Sequence, residues 1–172
     1  MLQLTRKRAE LHKLDKTDRQ IMKVLQHDSR IPLQIIAKKF DMPKSTVHYR
    51  IRRLEREKII EGYYAKINAA KLGYDYLGVI LVRAKYGPRY HQKVGLRLSR
   101  IPGVWSVYYV LGDFDFIVLI RAVDRDDYMD KLQQISGSSD IERTSTQIVA
   151  TIIKEDPRVD TNGANKSTTL KE

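Results

Sequence analysis

Pro43-Lys44-Ser45-Thr46-Val47-His48-Tyr49-Arg50-Ile51-Arg52-Arg53-Leu54-Glu55-Arg56-Glu57-Lys58 is the stretch on which the reading of this chain turns. Proline suits the first turn of a helix, and projection at about 100° per residue puts Val47, Ile51 and Leu54 on one narrow stripe. That stripe must face a core. The opposite side then holds Ser45, Tyr49, Arg52 and Arg53, flanked by Thr46 and His48, with Lys44 in the first turn. Just upstream, Pro32 opens a second helical pattern whose apolar face is read as Ile35, Ile36 and Phe40, with Lys38 and Lys39 outside. Asp41-Met42-Pro43 is a short connection, because the residue before proline avoids the helical region. Further upstream, Asp15 and Asp18 have the spacing of a capping box, and Ile21, Val24 and Leu25 continue a first helix over about 16–27.

Two helices joined by a three- or four-residue turn, the second basic on its outer face, predict a helix-turn-helix. Arginine can pair with guanine in a bidentate manner, and serine, threonine and histidine offer shorter contacts to base edges. Lys38, Lys39, Arg50 and Arg56 are better placed for phosphates, which set affinity without reading sequence. Charge supports this. The chain has 172 residues and a net charge of +11. Residues 1–66 hold 17 Lys+Arg against 8 Asp+Glu, a net of +9, which leaves +2 for residues 67–172. So the excess is local, as expected where one part of a chain meets a polyanion.

Apolar residues make up 42% and charged residues 31%, enough for a packed core. Apolar runs stop at about seven residues, well short of the ~20 that a membrane helix needs. Met1–Leu14 lacks the apolar stretch of a secretory signal. With no cysteine there is no disulfide, thiolate metal site or cysteine nucleophile. The expected location is the cytoplasm.

Downstream, Ile59–Ile67 alternates and is aromatic, so it reads as a strand leaving the basic unit; residues 67–75 are the expected linker. Residues 76–156 then read strand, helix, strand, strand, helix, strand. The boundaries are about Leu77–Lys85, Arg89–Arg100, Val104–Leu111, Asp115–Ala122, a helix capped by Asp124, and Glu142–Ile153. This is the ferredoxin-like βαββαβ order. The fold class is therefore α+β, a winged-helix-like helix-turn-helix unit over 1–66 followed by a ferredoxin-like domain. Leu77, Val79 and Leu81 make the second face of the first strand apolar too, and Ile117 and Leu119 do so in the third. Two helices cover only one face, so a second copy of the chain is expected on the other, giving a homodimer at least. A two-fold dimer would read half-sites about 34–36 Å apart. Residues 1–13 are expected to be a frayed tail, with a longer first helix or a basic arm on DNA as alternatives, and 157–172 a disordered tail.

The residues from Leu14 to Pro157 resemble the Lrp/AsnC, or feast/famine, regulators. The resemblance rests on Leu14-Asp15 with Asp18, Ile21 and Leu25; on Ser45–Glu55; on Ile59–Tyr63; and on Pro102-Gly103-Val104, Gly112-Asp113-Phe114-Asp115 and Thr144-Ser145-Thr146. Ile101–Trp105 and Glu142–Gln147 are most similar to archaeal members, including glutamine-responsive ones. The resemblance implies a sequence-specific transcription regulator, tetrameric or octameric, that binds double-stranded DNA and a small effector, usually an amino acid, with no cofactor or metal. It places the effector at Gly112, Asp113 and Asp115, with Thr144 and Thr146 on the last strand. An aspartate can hold an ammonium, and backbone N–H groups and hydroxyls a carboxylate. Two departures stand out: Met42 replaces the usual serine before Pro43, and Lys58 replaces the usual glycine after the recognition helix.

Two other functions fit the same architecture. One is an enzyme similar to sirohaem decarboxylases; the other is an architectural protein that wraps DNA with little sequence preference. The enzyme reading lacks converging titratable groups, since three of the four histidines (His12, His27, His48, His91) fall in the first third.

Overall fold

Asp15 caps the first helix in both directions. Its side chain accepts from the Asp18 N–H at 2.7 Å, and Asp18 returns a bond to the Asp15 N–H at 3.2 Å. Helix α1, Lys16–His27, follows, then α2, Leu33–Lys39, and α3, Lys44–Arg56. The computed structural model describes residues 14–161, so the expectations for residues 1–13 and 162–172 lie outside the described residues. The described residues form two units: 14–65 together with 156–161, and Lys66–Glu155.

In the first unit Ile21, Ile36, Val47 and Leu54 are fully buried and Ile51 nearly so, as the α3 projection requires. The apolar stripe of α2 is instead Leu33, Ile36, Ala37 and Phe40, an i, i+3, i+4, i+7 set. Ile35 lies a quarter-turn away and is 53% exposed. Asp41, in the turn between α2 and α3, adopts φ 49°, which aspartate tolerates better than most residues.

Helix α3 ends as a glycine-stopped helix does, but with a lysine. Lys58 has φ 57°. Its N–H bonds Glu55 O at 3.0 Å, and the Ile59 N–H reaches back to Leu54 O at 2.9 Å, the pair of bonds that defines a Schellman stop. A side chain in this conformation costs about 1–2 kcal/mol. Lys58→Gly is therefore expected to stabilise the unit by about 0.5–1 kcal/mol after glycine's larger unfolding entropy, raising its melting temperature by roughly 3–6 °C. Calorimetry checks this, and an unchanged or lower transition would contradict it.

The expected strand over 59–67 does not form. Alternation extends a chain, but a strand needs a ladder partner. Tyr63 donates instead to Glu55 Oε1 at 3.1 Å. Partial burial and the Glu55 carboxylate push its phenol up to about 12, so it keeps its proton. A short 3₁₀ turn, Ala70–Leu72, closed by Gly73 at φ 84°, precedes the second unit.

That unit comprises β1 Tyr76–Ala84, α4 Tyr90–Leu98, β2 Val104–Tyr109, β3 Phe116–Ala122, α5 Arg125–Ser136 and β4 Ile141–Ile148. The sheet order is β2-β3-β1-β4, all antiparallel. Asp124 caps α5 by accepting from the Asp127 N–H at 2.8 Å. Ile80, Val82, Val118 and Ile120 are fully buried beneath Val94 and Leu98 of α4 and Tyr128 and Ile135 of α5. Tyr128 lies so close to Gly78 that a Cβ there would come within 2.3 Å of its ring, which is why this strand interior carries a glycine.

Three expectations are corrected here. Strict alternation along the second strand puts Val104 with Tyr108 and Val110, against Trp105, Val107, Tyr109 and Leu111; instead, a bulge between Val104 and Ser106 in β2 puts Val104 and Val107 on the same, helix-covered face, opposite Ile120 and Val118. Strand β4 stops at Ile148, not near Ile153, because its partner β1 begins only at Tyr76. The residues that follow line a groove with Leu77, Val79, Trp105 and Leu119 on the second sheet face. Finally, residues 157–161 of the expected disordered tail are held against α1: the Val159 N–H donates to Gln26 Oε1 at 2.7 Å.

Candidate nucleic-acid interface and ligand site

The outward face of α3 presents Lys44, Ser45, His48, Tyr49, Arg52 and Arg56, all exposed, with Thr46 half-buried at its margin. Its first turn begins at Pro43 with no side-chain cap, as the Met42 departure implies. Lys38 and Lys39 are exposed in the last turn of α2. Arg52 is 69% exposed and touches Glu55 at 3.3 Å.

Two of the sequence-predicted arginines lie elsewhere. Arg50 Nη1 bonds Asp15 Oδ2 at 2.6 Å and Asp18 Oδ1 at 2.8 Å, and Arg53 Nη2 bonds the other oxygen of Asp18. Asp18 is fully buried, and the arginine side chains are only 23% and 26% exposed. Withdrawal from water opposes ionisation of Asp15, but the Asp18 N–H and the Arg50 guanidinium outweigh it and hold its carboxyl below the usual range. Arg53, read from the sequence as a groove residue, and Arg50, read as a phosphate contact, thus clamp α3 onto the start of α1.

At the β2–β3 hairpin the predicted ligand residues separate. Asp115 is 4% exposed. One of its oxygens accepts from the Ala84 N–H at 2.9 Å and the other from the Tyr90 hydroxyl at 3.1 Å. Burial, then the neighbouring Tyr109 hydroxyl and the Asp115 carboxylate, push the Tyr90 phenol well above its ordinary range, so it remains a donor. Asp115 is thereby a latch of the sheet rather than an open ligand group. Gly112 and Asp113 stay at the exposed tip, where their carbonyls accept from Arg83 Nη1 at 3.1 and 3.2 Å. Thr144 and Thr146 pair with Val82 and Ile80 and so share the helix-covered face, away from that arginine.

The sequence reading missed Arg83 and Arg143, which oppose each other across β1 and β4. Arg83 also stacks on Tyr86 at 5.2 Å, and Arg143 on Phe114 at 5.0 Å. The available signal was that Arg83 is the one charged residue in an otherwise apolar strand.

Residues 14–61 match the family described as winged helix-turn-helix DNA-binding, and residues 78–159 match the Lrp/AsnC ligand binding domain. The HTH-type transcriptional regulator FL11 of Pyrococcus furiosus is 34% identical over 142 residues, covering 83% of this chain and 93% of the relative. The chain belongs to the Lrp/AsnC family. This Lrp/AsnC protein is a DNA-binding transcription regulator, and the relatives carry regulator rather than enzyme names. A Neisseria meningitidis transcriptional regulator, solved as its L-Met complex, shares the fold at TM-score 0.81 and 20% identity, over 87% of this chain and 97% of its own. The feast or famine regulatory protein of M. tuberculosis, complexed with L-methionine, is 28% identical at TM-score 0.77, over 85% of this chain and 98% of its own. Among the described residues no helix is long and apolar enough to cross a membrane.

Proposed function

We propose that this regulator binds specific DNA sites through α3 and is modulated by an amino acid at the β2–β3 hairpin. The observation that carries the DNA half is the sorting of basic residues on α3. Asp15 and Asp18 engage Arg50 and Arg53, while Lys44, Ser45, His48, Tyr49, Arg52 and Arg56 are left toward solvent. Of these, Arg52 and His48 read base edges, while Lys44 and Arg56, together with Lys38 and Lys39 of α2, meet phosphates. The protein acts as a homodimer or larger assembly. The half-buried apolar face of Leu77, Val79, Leu81, Ile117 and Leu119 supports this, since a second copy would cover it and pair two recognition helices.

For the effector half, Asp113 holds the ammonium and Arg143 the carboxylate, with Arg83 fixing the hairpin carbonyls. L-methionine in two structural relatives and the glutamine-responsive resemblance make those two amino acids the first to try. Fluorescence anisotropy tests both halves, using the promoter of the protein's own gene and a scrambled duplex across a salt series, with and without single amino acids. Selective binding shifted by one amino acid is expected. Asp113→Ala and Arg143→Gln should each weaken that ligand about 10–100-fold, the loss of one charge-assisted bond, while sparing DNA affinity without ligand. Equal, steeply salt-dependent binding to both duplexes would instead mark an architectural protein.

A further inference from the structure

One side of α1 faces away from its core and carries Arg19, Lys23, Gln26 and His27, which fall within about 100° of each other on the helix. That side is occupied by the end of the chain. The Gln26 amide makes a reciprocal pair with the Val159 backbone: Nε2 donates to Val159 O at 2.9 Å, and Oε1 accepts from the Val159 N–H at 2.7 Å. Arg19 Nη1 donates to Thr161 O at 2.8 Å. Arg158 Nη1 donates to His27 Nδ1 at 2.8 Å, and Asp156 orients that guanidinium by accepting from Nε and Nη2, both at 2.9 Å. Val159 itself is 72% exposed, so the seat holds the segment by its backbone, not by burying side chains.

The path of the chain gives these contacts a consequence. The chain leaves the DNA-binding unit at Ala65 and returns to it at Asp156. Lys66 Nζ donates to Glu155 O at 3.2 Å, which ties the outgoing and returning segments of the chain together at the boundary. Helix α1, which seats the returning segment on one side, carries at its start the aspartates that clamp Arg50 and Arg53 of α3.

We infer that this side of α1 is a docking site for the chain's own residues 156–161, and that the docked segment is a second connection through which the ligand-binding unit controls the DNA-binding unit. Val149 and the five residues from Thr151 to Glu155 line the groove on the second sheet face, so a change there pulls on α1, and through Asp15 and Asp18 on the seating of α3.

The test compares the full chain, a chain ending at Glu155, and the full-length double variant Gln26→Ala/Arg158→Ala. Hydrogen exchange is read on peptides spanning 16–27 and 76–84, and anisotropy on one duplex at fixed salt. In both altered proteins the 16–27 amides should exchange at least tenfold faster, 76–84 should be unchanged, and DNA affinity should fall at least threefold. The double variant, which shortens nothing, decides the matter if truncation also disturbs 76–84. Unchanged exchange at 16–27 in it would overturn the docking site. Faster exchange with unaltered or tighter DNA binding would overturn the control.

Discussion

Asp18→Ala is expected to destabilise the DNA-binding unit severely, so that it melts far below wild type, and to leave Lys66–Glu155 as stable as before. Asp18 is fully buried, bonds Arg50 and Arg53, and completes the capping box of α1. Breaking a buried ion pair by removing one partner typically costs about 3–5 kcal/mol. Here the arginines are about a quarter exposed and Arg50 keeps Asp15, so a cost of about 2–3 kcal/mol is expected, plus part of the 0.5–2 kcal/mol usual for a lost cap. A unit of this size holds only some 3–9 kcal/mol in total. Far-ultraviolet circular dichroism should lose helix at a much lower temperature, and DNA binding should vanish with it. The single tryptophan, Trp105, stacks on Arg121 within the sheet unit at 4.7 Å, so its fluorescence should report a second transition near the wild-type temperature. A variant whose first transition matches wild type would show that the clamp carries no stability.

What could be read from the sequence, and what could not, divides along physical lines. Helix α1 is legible at its observed bounds because the cap and the apolar period are both local. The βαββαβ order followed from turn residues such as Ile101-Pro102-Gly103 and Gly112-Asp113 between apolar runs. Helical projection also placed Val47, Ile51 and Leu54 correctly, since a core is simply where apolar residues coincide. It could not assign Arg53: the angle of a side chain is set by its own helix, but its partner, Asp18, lies 35 positions earlier. Asp115 failed in the same way. Gly-Asp-Phe-Asp reads as a turn, while the burial of the second aspartate depends on Ala84 and Tyr90 from other elements. Residues 157–161 looked like a tail because polar composition signals disorder only when no partner exists, and a backbone seated by Gln26 and Arg19 needs no apolar residue. Lys58 is the intermediate case: the missing glycine was visible, but not that lysine would adopt its conformation.

Arg52→Ala and Arg53→Ala, adjacent in sequence, should fail in opposite ways. Arg52 is exposed and holds Glu55 loosely at i, i+3, a contact worth little in water, so its loss should move stability by less than about 0.5 kcal/mol. On DNA it should cost about 1–3 kcal/mol, a 5- to 150-fold fall in affinity. If Arg52 reads a base, the gap between specific and scrambled duplex narrows; if it meets a phosphate, both fall together and the salt slope drops by about one. Arg53→Ala leaves buried Asp18 with Arg50 alone and should cost about 2–3 kcal/mol of folding stability. Below its lowered melting temperature, the folded fraction should lose only the few-fold affinity that a loosened seating of α3 costs, well short of the loss in Arg52→Ala. Arg53→Lys keeps the charge but not the rigid guanidinium that places Nη2 on Asp18, and should recover only part of the stability. An Arg53→Ala protein that melts like wild type yet loses DNA affinity as Arg52→Ala does would move Arg53 into the groove and undo the division of α3 proposed here.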